Sequence, residues 1–309
     1  MILTLTVNPA IDRNVTADRL VFEDRAYILS TSEAAGGRGI NASAVIHSFG
    51  GKTLAITTSS AKGGARIEKL LGSAGFPVQF VRIRNEIRTN LTITDRQGLT
   101  IKLNELGPSM EQAELQRLGK VVQKHLAQAS WLMLCGSLPP DVPRDYYARL
   151  IAVARKARVN VLLDTDGEAL LEGLEARPTV VTPNQQEAER LLNTALIMRS
   201  HFLDAAGRIR AMGAEAVVLS LGSRGAVGAR QGLLLEALAP RVDAVCPIGA
   251  GDALAAAFTW AMDRGADFTE AVRWGVAEGT ASAMMPGVRF ASLDQARAIY
   301  DKVEIRLVR

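Results

Sequence analysis

The chain has little cysteine, histidine or aromatic side chain. Its two cysteines among 309 residues, Cys135 and Cys246, form neither a disulfide framework nor a zinc spacing. That points to a reducing compartment. The three histidines (His47, His125, His201) are scattered, so zinc enzymes and triad hydrolases lose their signature residues. A long apolar run is also missing. The longest stretch without a formal charge, His125 to Pro140, falls below the roughly 18 residues of a membrane helix and contains Gln128, Ser130 and Ser137. Nor is there a strong charge of one sign. Thirty-six Lys and Arg against 32 Asp and Glu leave +4, spread without the basic arm expected of a nucleic-acid binder. The opening Met1-Ile2-Leu3-Thr4-Leu5 has no basic leader and reads as a strand rather than a signal peptide. A cytoplasmic location with no membrane and no nucleic-acid partner is the expectation.

What the chain does have is apolar residues. At 48% hydrophobic and 22% charged it can bury a full core, which excludes global disorder. Short β-branched or apolar runs (Ile2–Val7, Thr53–Thr58, Val78–Val81, Trp131–Leu134, Val159–Asp164, Thr179–Thr182, Ala216–Leu221) alternate with segments of helical period. Among the latter are Ile40–Phe49, closed by Gly50-Gly51, then Met110–Gln128 and Pro143–Lys156. This rhythm, regular over about 36–221, predicts a mostly parallel sheet covered on both faces. The C-terminal third predicts three helices, Gly249–Arg264, Thr269–Met285 and Leu293–Val303. Two stretches break the rhythm. Residues 12–35 are polar with one extended run, Ala26–Thr31, and 88–105 alternate around the turn Asp95-Arg96-Gln97-Gly98. They predict either a small separate sheet built from insertions, such as a lid, or an antiparallel extension of the main sheet. No repeat or linker divides the chain, so one domain over 1–309 is expected.

Three suggestive patterns fail on inspection. Gly37-Arg38-Gly39-Ile40-Asn41-Ala42 fits the dinucleotide fingerprint, but Lys62 stands about where its acid belongs, some 20 residues on. Gly51-Lys52-Thr53 imitates a P-loop end, yet Ile46 replaces the first glycine and the order of helix and strand is reversed. Ser59-x-x-Lys62 has no companion acylase motifs.

The segment that carries chemistry is Gly249-Ala250-Gly251-Asp252, leading into an apolar helix. Glycines at a helix start leave backbone N–H groups bare with the positive end of the dipole behind them, which suits developing phosphoryl charge. Asp252 in the first turn is placed to take a hydroxyl proton, although acidic first-turn residues also serve simply to favour a helix dipole. Gly36-Gly37-Arg38-Gly39, Gly222-Ser223-Arg224-Gly225 and Asn184-Gln185-Gln186-Glu187 each follow a predicted strand or open a helix, so they point to one cleft.

Taken in order, these motifs resemble those of the PfkB carbohydrate kinases of the ribokinase-like fold. Gly36-Gly37-x-Gly39-x-Asn41 and Gly249-Ala250-Gly251-Asp252 correspond to its two signature regions, with Asn184-x-x-Glu187 and Ser220-Leu221-Gly222-x-x-Gly225 between them. Thr6-Val7-Asn8-Pro9-Ala10-Ile11-Asp12 and Cys135-Gly136-Ser137-Leu138-Pro139-Pro140 are similar to the hexose-phosphate branch, which holds 1-phosphofructokinase, tagatose-6-phosphate kinase and the minor 6-phosphofructokinase. The resemblance implies a three-layer α/β/α core with a β-sheet lid through which homodimers form. It implies Asp252 as base and Gly249, Ala250 and Gly251 as the anion hole. By the same resemblance, Asp12, Gly37 and Asn41 bind the sugar, while Arg88, Ser137 and Arg25 bind the phosphate it already carries. Ser220, Gly222, Gly225 and Asn184 border ATP, and Glu187 positions Mg²⁺ through water; a monovalent cation is compatible.

The implied reaction is ATP-dependent phosphorylation of a ketohexose phosphate, with fructose 6-phosphate ahead of fructose 1-phosphate and tagatose 6-phosphate. A kinase of a neutral sugar or nucleoside and a non-catalytic sugar-phosphate-binding regulator are the alternatives. The chain departs from the family in places. Thr182 and Gln185 stand where a lysine is frequent, which leaves the nucleotide phosphates short of a cation. Arg38 stands where Lys or Gly is usual, Ala253 where Ser is frequent, and Cys246-Pro247 precede the anion hole.

Overall fold

A computed structural model of the chain describes residues 1–21, 23–61, 65–287 and 289–308. Lys62, and with it the Ser59-x-x-Lys62 spacing, lies outside the described residues. The chain opens with β1 (Ile2–Thr6), β2 (Ala10–Ala17), β3 (Ile28–Gly36) and α1 (Arg38–Ser48). Next come β4 (Thr53–Ser60), α2 (Ala65–Gly72), β5 (Val78–Ile83), β6 (Arg88–Thr94), β7 (Thr100–Asn104) and α3 (Gln112–Leu126). The middle holds β8 (Trp131–Cys135), α4 (Tyr146–Lys156), β9 (Asn160–Asp164), α5 (Gly167–Glu175), β10 (Val180–Val181) and α6 (Gln185–Leu192). The rest is α7 (Arg199–Ala211), β11 (Ala216–Ser220), β12 (Ala226–Arg230), β13 (Leu233–Leu238), α8 (Ala250–Asp263), α9 (Phe268–Ala283), α10 (Leu293–Tyr300) and β14 (Glu304–Val308).

Among the described residues the larger sheet has the order β14-β13-β12-β11-β10-β9-β8-β1-β4-β5, parallel from β11 to β5. Strands such as β1 and β8 are buried at every position, as strands covered on both faces must be. One face packs Leu115, Leu118, Tyr147, Ile151 and Phe202 from α3, α4 and α7. The other packs Val45, Phe258 and Trp274 from α1, α8 and α9. The alanines of α8 (Ala253, Ala255, Ala256, Ala257) let its backbone lie close to its neighbours. The result is three layers, α/β/α, in agreement with expectation.

The antiparallel edge, β12 to β14, is a correction. Ala226–Arg230 and Leu233–Leu238 consist largely of Ala, Leu and Gly, residues without strand preference. Pairing across a turn at Gly232 (φ 71) and against β14 overrides that preference. The expected helix to Val303 ends at Tyr300 instead, and the chain finishes as an edge strand.

The two off-rhythm stretches form a separate four-stranded sheet of order β3-β2-β6-β7, so the extension of the main sheet is excluded. Its first strand begins at Ala10, and the region expected to be mostly irregular holds both β2 and β3. The predicted turn is present. Asp95 Oδ1 accepts from the N–H groups of Gln97 and Leu99, each at 2.9 Å, and Gly98 takes φ 88.

Glu278 on α9 is fully buried. Its Oε1 accepts from Ser282 Oγ at 2.7 Å, its Oε2 has no partner among the described residues, and burial pushes its pKa up to about 8. Between the ordinary Glu value and about 8, the unfolded chain has released a proton that the folded chain keeps. Stability therefore falls as pH rises through that window, by at most about 1.4 kcal/mol per pH unit. Glu278→Gln removes this slope. Denaturant unfolding at pH 5 to 8 is expected to show a flatter stability curve for the variant, and parallel curves would contradict the assignment.

Candidate active site

The parallel strands end at one edge of the sheet, and the loops there carry most of the residues singled out from the sequence. Asp252 lies in the first turn of α8, and Gly249 caps that helix at φ 82, a conformation glycine reaches without strain. Among the described residues the N–H groups of Gly249, Gly251 and Asp252 meet no backbone acceptor, whereas that of Ala250 donates to Pro247 O at 3.2 Å. A Cβ built on Gly251 would face open space. Of the expected donors, Ala250 is thus engaged in its own turn, and the amide of Asp252 joins Gly249 and Gly251. Bare amides at the start of a 14-residue helix form a seat for negative charge.

The Asp252 carboxylate is held from α1, where Asn41 Nδ2 donates to its Oδ2 at 2.7 Å. Burial, then the nearby Asp164, push its pKa up to about 7, against the lowering effects of Asn41 and Arg38. Arg38 lies one turn before Asn41 on the same helix. Its Nη1 donates to Asp164 Oδ1 at 2.9 Å, and its Nη2 donates to Asp166 Oδ2 at 2.9 Å and Glu187 Oε1 at 3.2 Å. These carboxylates, Asp164 first, raise the guanidinium pKa further above its ordinary range. Sequence reasoning registered Arg38 only as a departure and missed Asp164 and Asp166. The signal for Asp164 was its place as the last residue of a parallel strand.

Asn184-x-x-Glu187 folds as a capping box. Glu187 N donates to Asn184 Oδ1 and Asn184 N to Glu187 Oε2, both at 2.9 Å. With Oε1 on Arg38, both Glu187 oxygens have partners. Among the described residues no three His, Cys, Asp or Glu side chains are grouped to hold an ion directly.

Beside the α8 N-terminus opens a cavity of about 890 Å³. Asn184, Ser220, Gly222 and Gly225 line it, together with Ala250 and Gly251. Gly225 is required where it stands, at φ 96 with a Cβ position only 1.9 Å from Ala237 O. Arg224, also in the lining, stacks 4.5 Å over the Phe202 ring and donates to the side-chain oxygen of Gln185. The position expected to lack a cation therefore holds one in place.

On the lid side, Asp12 Oδ1 accepts from Asn90 Nδ2 at 2.8 Å, and burial raises its pKa. A Cβ on Gly36 would lie 2.2 Å from Asp12 Oδ2, and one on Gly37 (φ 145) 2.7 Å from Thr6 Cγ2, so Gly36 lets β3 close over Asp12 of β2 and Gly37 lets the start of α1 close on β1. Arg88 donates to the carbonyls of Asn8 and Glu105, each at 3.1 Å, and its Nε is buried without a partner among the described residues. Asn8 Nδ2 approaches Ser137 Oγ at 3.4 Å, which links Ser137 to the Arg88 corner. Arg25 stands apart. It is exposed between β2 and β3, and among the described residues its side chain makes no hydrogen bond or ion pair with this group.

Because Arg38 lowers the Asp252 pKa, Arg38→Gln should raise it further. In the role of base that the family resemblance implies for Asp252, the carboxyl group must be deprotonated, so kcat/KM of the native chain should fall as pH drops through about 7. In the variant that acid limb should lie at higher pH. A pH–rate profile checks this, and an unmoved or lowered limb would contradict the charge assignment.

Comparison with known proteins gives the family. The family description "pfkB family carbohydrate kinase" matches residues 5–295. The chain is 31% identical to 1-phosphofructokinase of Borreliella burgdorferi over 286 residues, 92% of each protein. It is 28% identical to tagatose-6-phosphate kinase of Staphylococcus epidermidis over 308 residues, 99% of each. Among solved structures it is similar to phosphofructokinase-2 from Escherichia coli in complex with potassium, at 30% identity and a TM-score of 0.91, covering 97% of this chain and 98% of that one. With its three-layer core, lid sheet and glycine-framed aspartate, the chain belongs to the pfkB family of carbohydrate kinases.

Proposed function

We propose that the chain transfers the γ-phosphoryl group of ATP to a free hydroxyl of a ketohexose phosphate, with fructose 6-phosphate the preferred acceptor. The observation that carries this reading is the Asp252 carboxylate. It is held by Asn41 beside bare helix-start amides, next in the chain to Ala250 and Gly251, which line the 890 Å³ cavity. The relatives named above act on phosphorylated ketohexoses, which supports the acceptor class.

In this mechanism ATP fills the cavity lined by Asn184, Ser220, Gly222 and Gly225, with its terminal phosphate at the amides of Gly249, Gly251 and Asp252. Asp12, Gly37 and Asn41 orient the sugar hydroxyls. Arg88 binds the sugar's existing phosphate because its planar fork meets two oxygens at once, and Ser137 donates from the neighbouring loop. Arg25 is proposed to reach that phosphate when the lid closes. Asp252, raised toward 7, takes the acceptor proton while the helix start neutralises charge on the transferred group. The donors that face the cleft are hard carboxylate oxygens already partnered by protein, which fits Mg²⁺ held through its own waters by Glu187 and Asp164. When bound, that ion neutralises charge on the donor phosphates.

A homodimer through the lid accompanies this reading. Tyr27 before β3, Ile28 on β3 and Leu103 on β7 are 63%, 63% and 55% exposed, and both strands are edges of the lid sheet. Ile28→Asp combined with Leu103→Asp should halve the mass seen by light scattering, and an unchanged mass would reject this interface.

Coupled assays decide the chemistry. Asp252→Asn should reduce kcat by at least about 10², and near-native turnover would remove its role as base. Arg88→Ala should raise KM for the sugar phosphate while leaving KM for ATP nearly unchanged. A panel of fructose 6-phosphate, fructose 1-phosphate, tagatose 6-phosphate and neutral sugars should give the highest kcat/KM with the first.

A further inference from the structure

At the opposite edge of the large sheet lies a second cavity of about 730 Å³, which the kinase mechanism does not use. Four arginines line it: Arg155 in the last turn of α4, Arg177 between α5 and β10, Arg210 near the end of α7 and Arg230 at the end of β12. Glu215 is the one carboxylate among the lining residues, so the lining carries 4 − 1 = +3, compared with +4 for the whole chain.

None of the four arginines forms an ion pair among the described residues. Two are fixed by uncharged partners: Arg155 Nη1 donates to Arg177 O at 2.7 Å, and Arg230 lies 5.8 Å over the Phe268 ring. Gly213 (φ 144) shapes the wall, since a Cβ there would lie 2.1 Å from Leu174 O. Met262, Phe268 and Val180 give the cavity an apolar side. Four like charges gathered with a single carboxylate repel one another on balance, and a bound anion relieves that repulsion. Arginine forks suit phosphate oxygens in particular. The volume lies within the range of small-molecule sites, roughly 300–1,000 Å³.

Three rigid elements join the two cavities. β11 runs from Ala216 in the second cavity to Ser220 in the first, and β10 runs from Val180 toward Asn184. α8 starts at Ala250 in the first cavity and brings Met262 to the second, a reach of about 20 Å at the helical rise. We propose that the second cavity binds a small phosphorylated anion, a phosphate ester or short polyphosphate, and that its occupation alters nucleotide affinity in the first. The binding stands independently of the kinase reading, whereas the coupling rests on it.

Hydrogen–deuterium exchange of the full chain with inorganic tripolyphosphate tests the site. Segments 174–180 and 208–216 should gain protection, and Arg177→Glu and Arg210→Glu should each weaken the concentration dependence roughly tenfold or more. Protection at 239–251, from the probe entering the first cavity, should persist in both variants. Arg177→Gln and Arg210→Gln give a smaller loss of the same kind should a charge reversal fail to fold. Absence of protection in the two segments at millimolar probe, or its survival in all these variants, would overturn the site. The coupling is the part of the probe's effect on ATP affinity, measured by calorimetry, that Arg210→Glu abolishes. Equal effects in native and variant chains would overturn the coupling alone. Failure of ATP to bind would overturn both the coupling and the kinase reading, with the exchange result still standing.

Discussion

One cation keeps the cleft habitable. Asp164, Asp166, Glu187 and Asp252 meet at the sheet's C-terminal edge, and Arg38 donates to the first three. Two like unit charges about 4 Å apart repel by on the order of 4 kcal/mol at an effective dielectric near 20, and a cation among such charges offsets that cost. Arg38 offsets part of that charge, burial still holds Asp164 and Glu187 above the ordinary carboxylate range, and Asp252, held by Asn41, is raised to about 7. A buried acid poised at that value suits proton transfer at neutral pH. Arg38 and Asn41 sit one turn apart on α1, so a single helix sets both the charge balance and the orientation of the Asp252 carboxyl group.

The rest of the fold serves that arrangement. Parallel strands deliver Asp164 from β9, Asn184 from beyond β10 and Ser220 from β11 to one edge, which is where open α/β sheets bind ligands. The lid strand β3 runs through Gly36 and Gly37 directly into α1, and their missing side chains admit Asp12 and Thr6. Its neighbours on α1 are the charge hub and the partner of Asp252. The lid strand β3 and the partner of Asp252 are thus joined through one helix.

Much of this was legible in the residues, for physical reasons. Apolar runs without alternation announced strands covered on both faces, and glycines before helices marked each phosphate-facing turn. Asp252 and the turn of Gly222 and Gly225 follow from such local rules, whereas the roles of Asn41, Asn184 and Ser220 came with the family resemblance. The antiparallel edge did not, because Leu233–Leu238 prefers helix and becomes strand only through pairing with β12 and β14. Asp164 and Asp166 escaped for a similar reason. Their meaning lies in Arg38, more than 120 positions away, and no local spacing encodes an ion pair made across the sheet edge. Asn184 was read as bordering the nucleotide and Glu187 as metal-facing, while their first role in the fold is to cap α6.

The central claim concerns the proton on one carboxyl group, and it can be observed directly. In the free protein labelled with ¹³C at aspartate side-chain carbonyls, with Asp252→Asn used to assign the signal, the Asp252 resonance should titrate with a midpoint near 7. A midpoint near the ordinary aspartate value of about 3.9 would contradict the account.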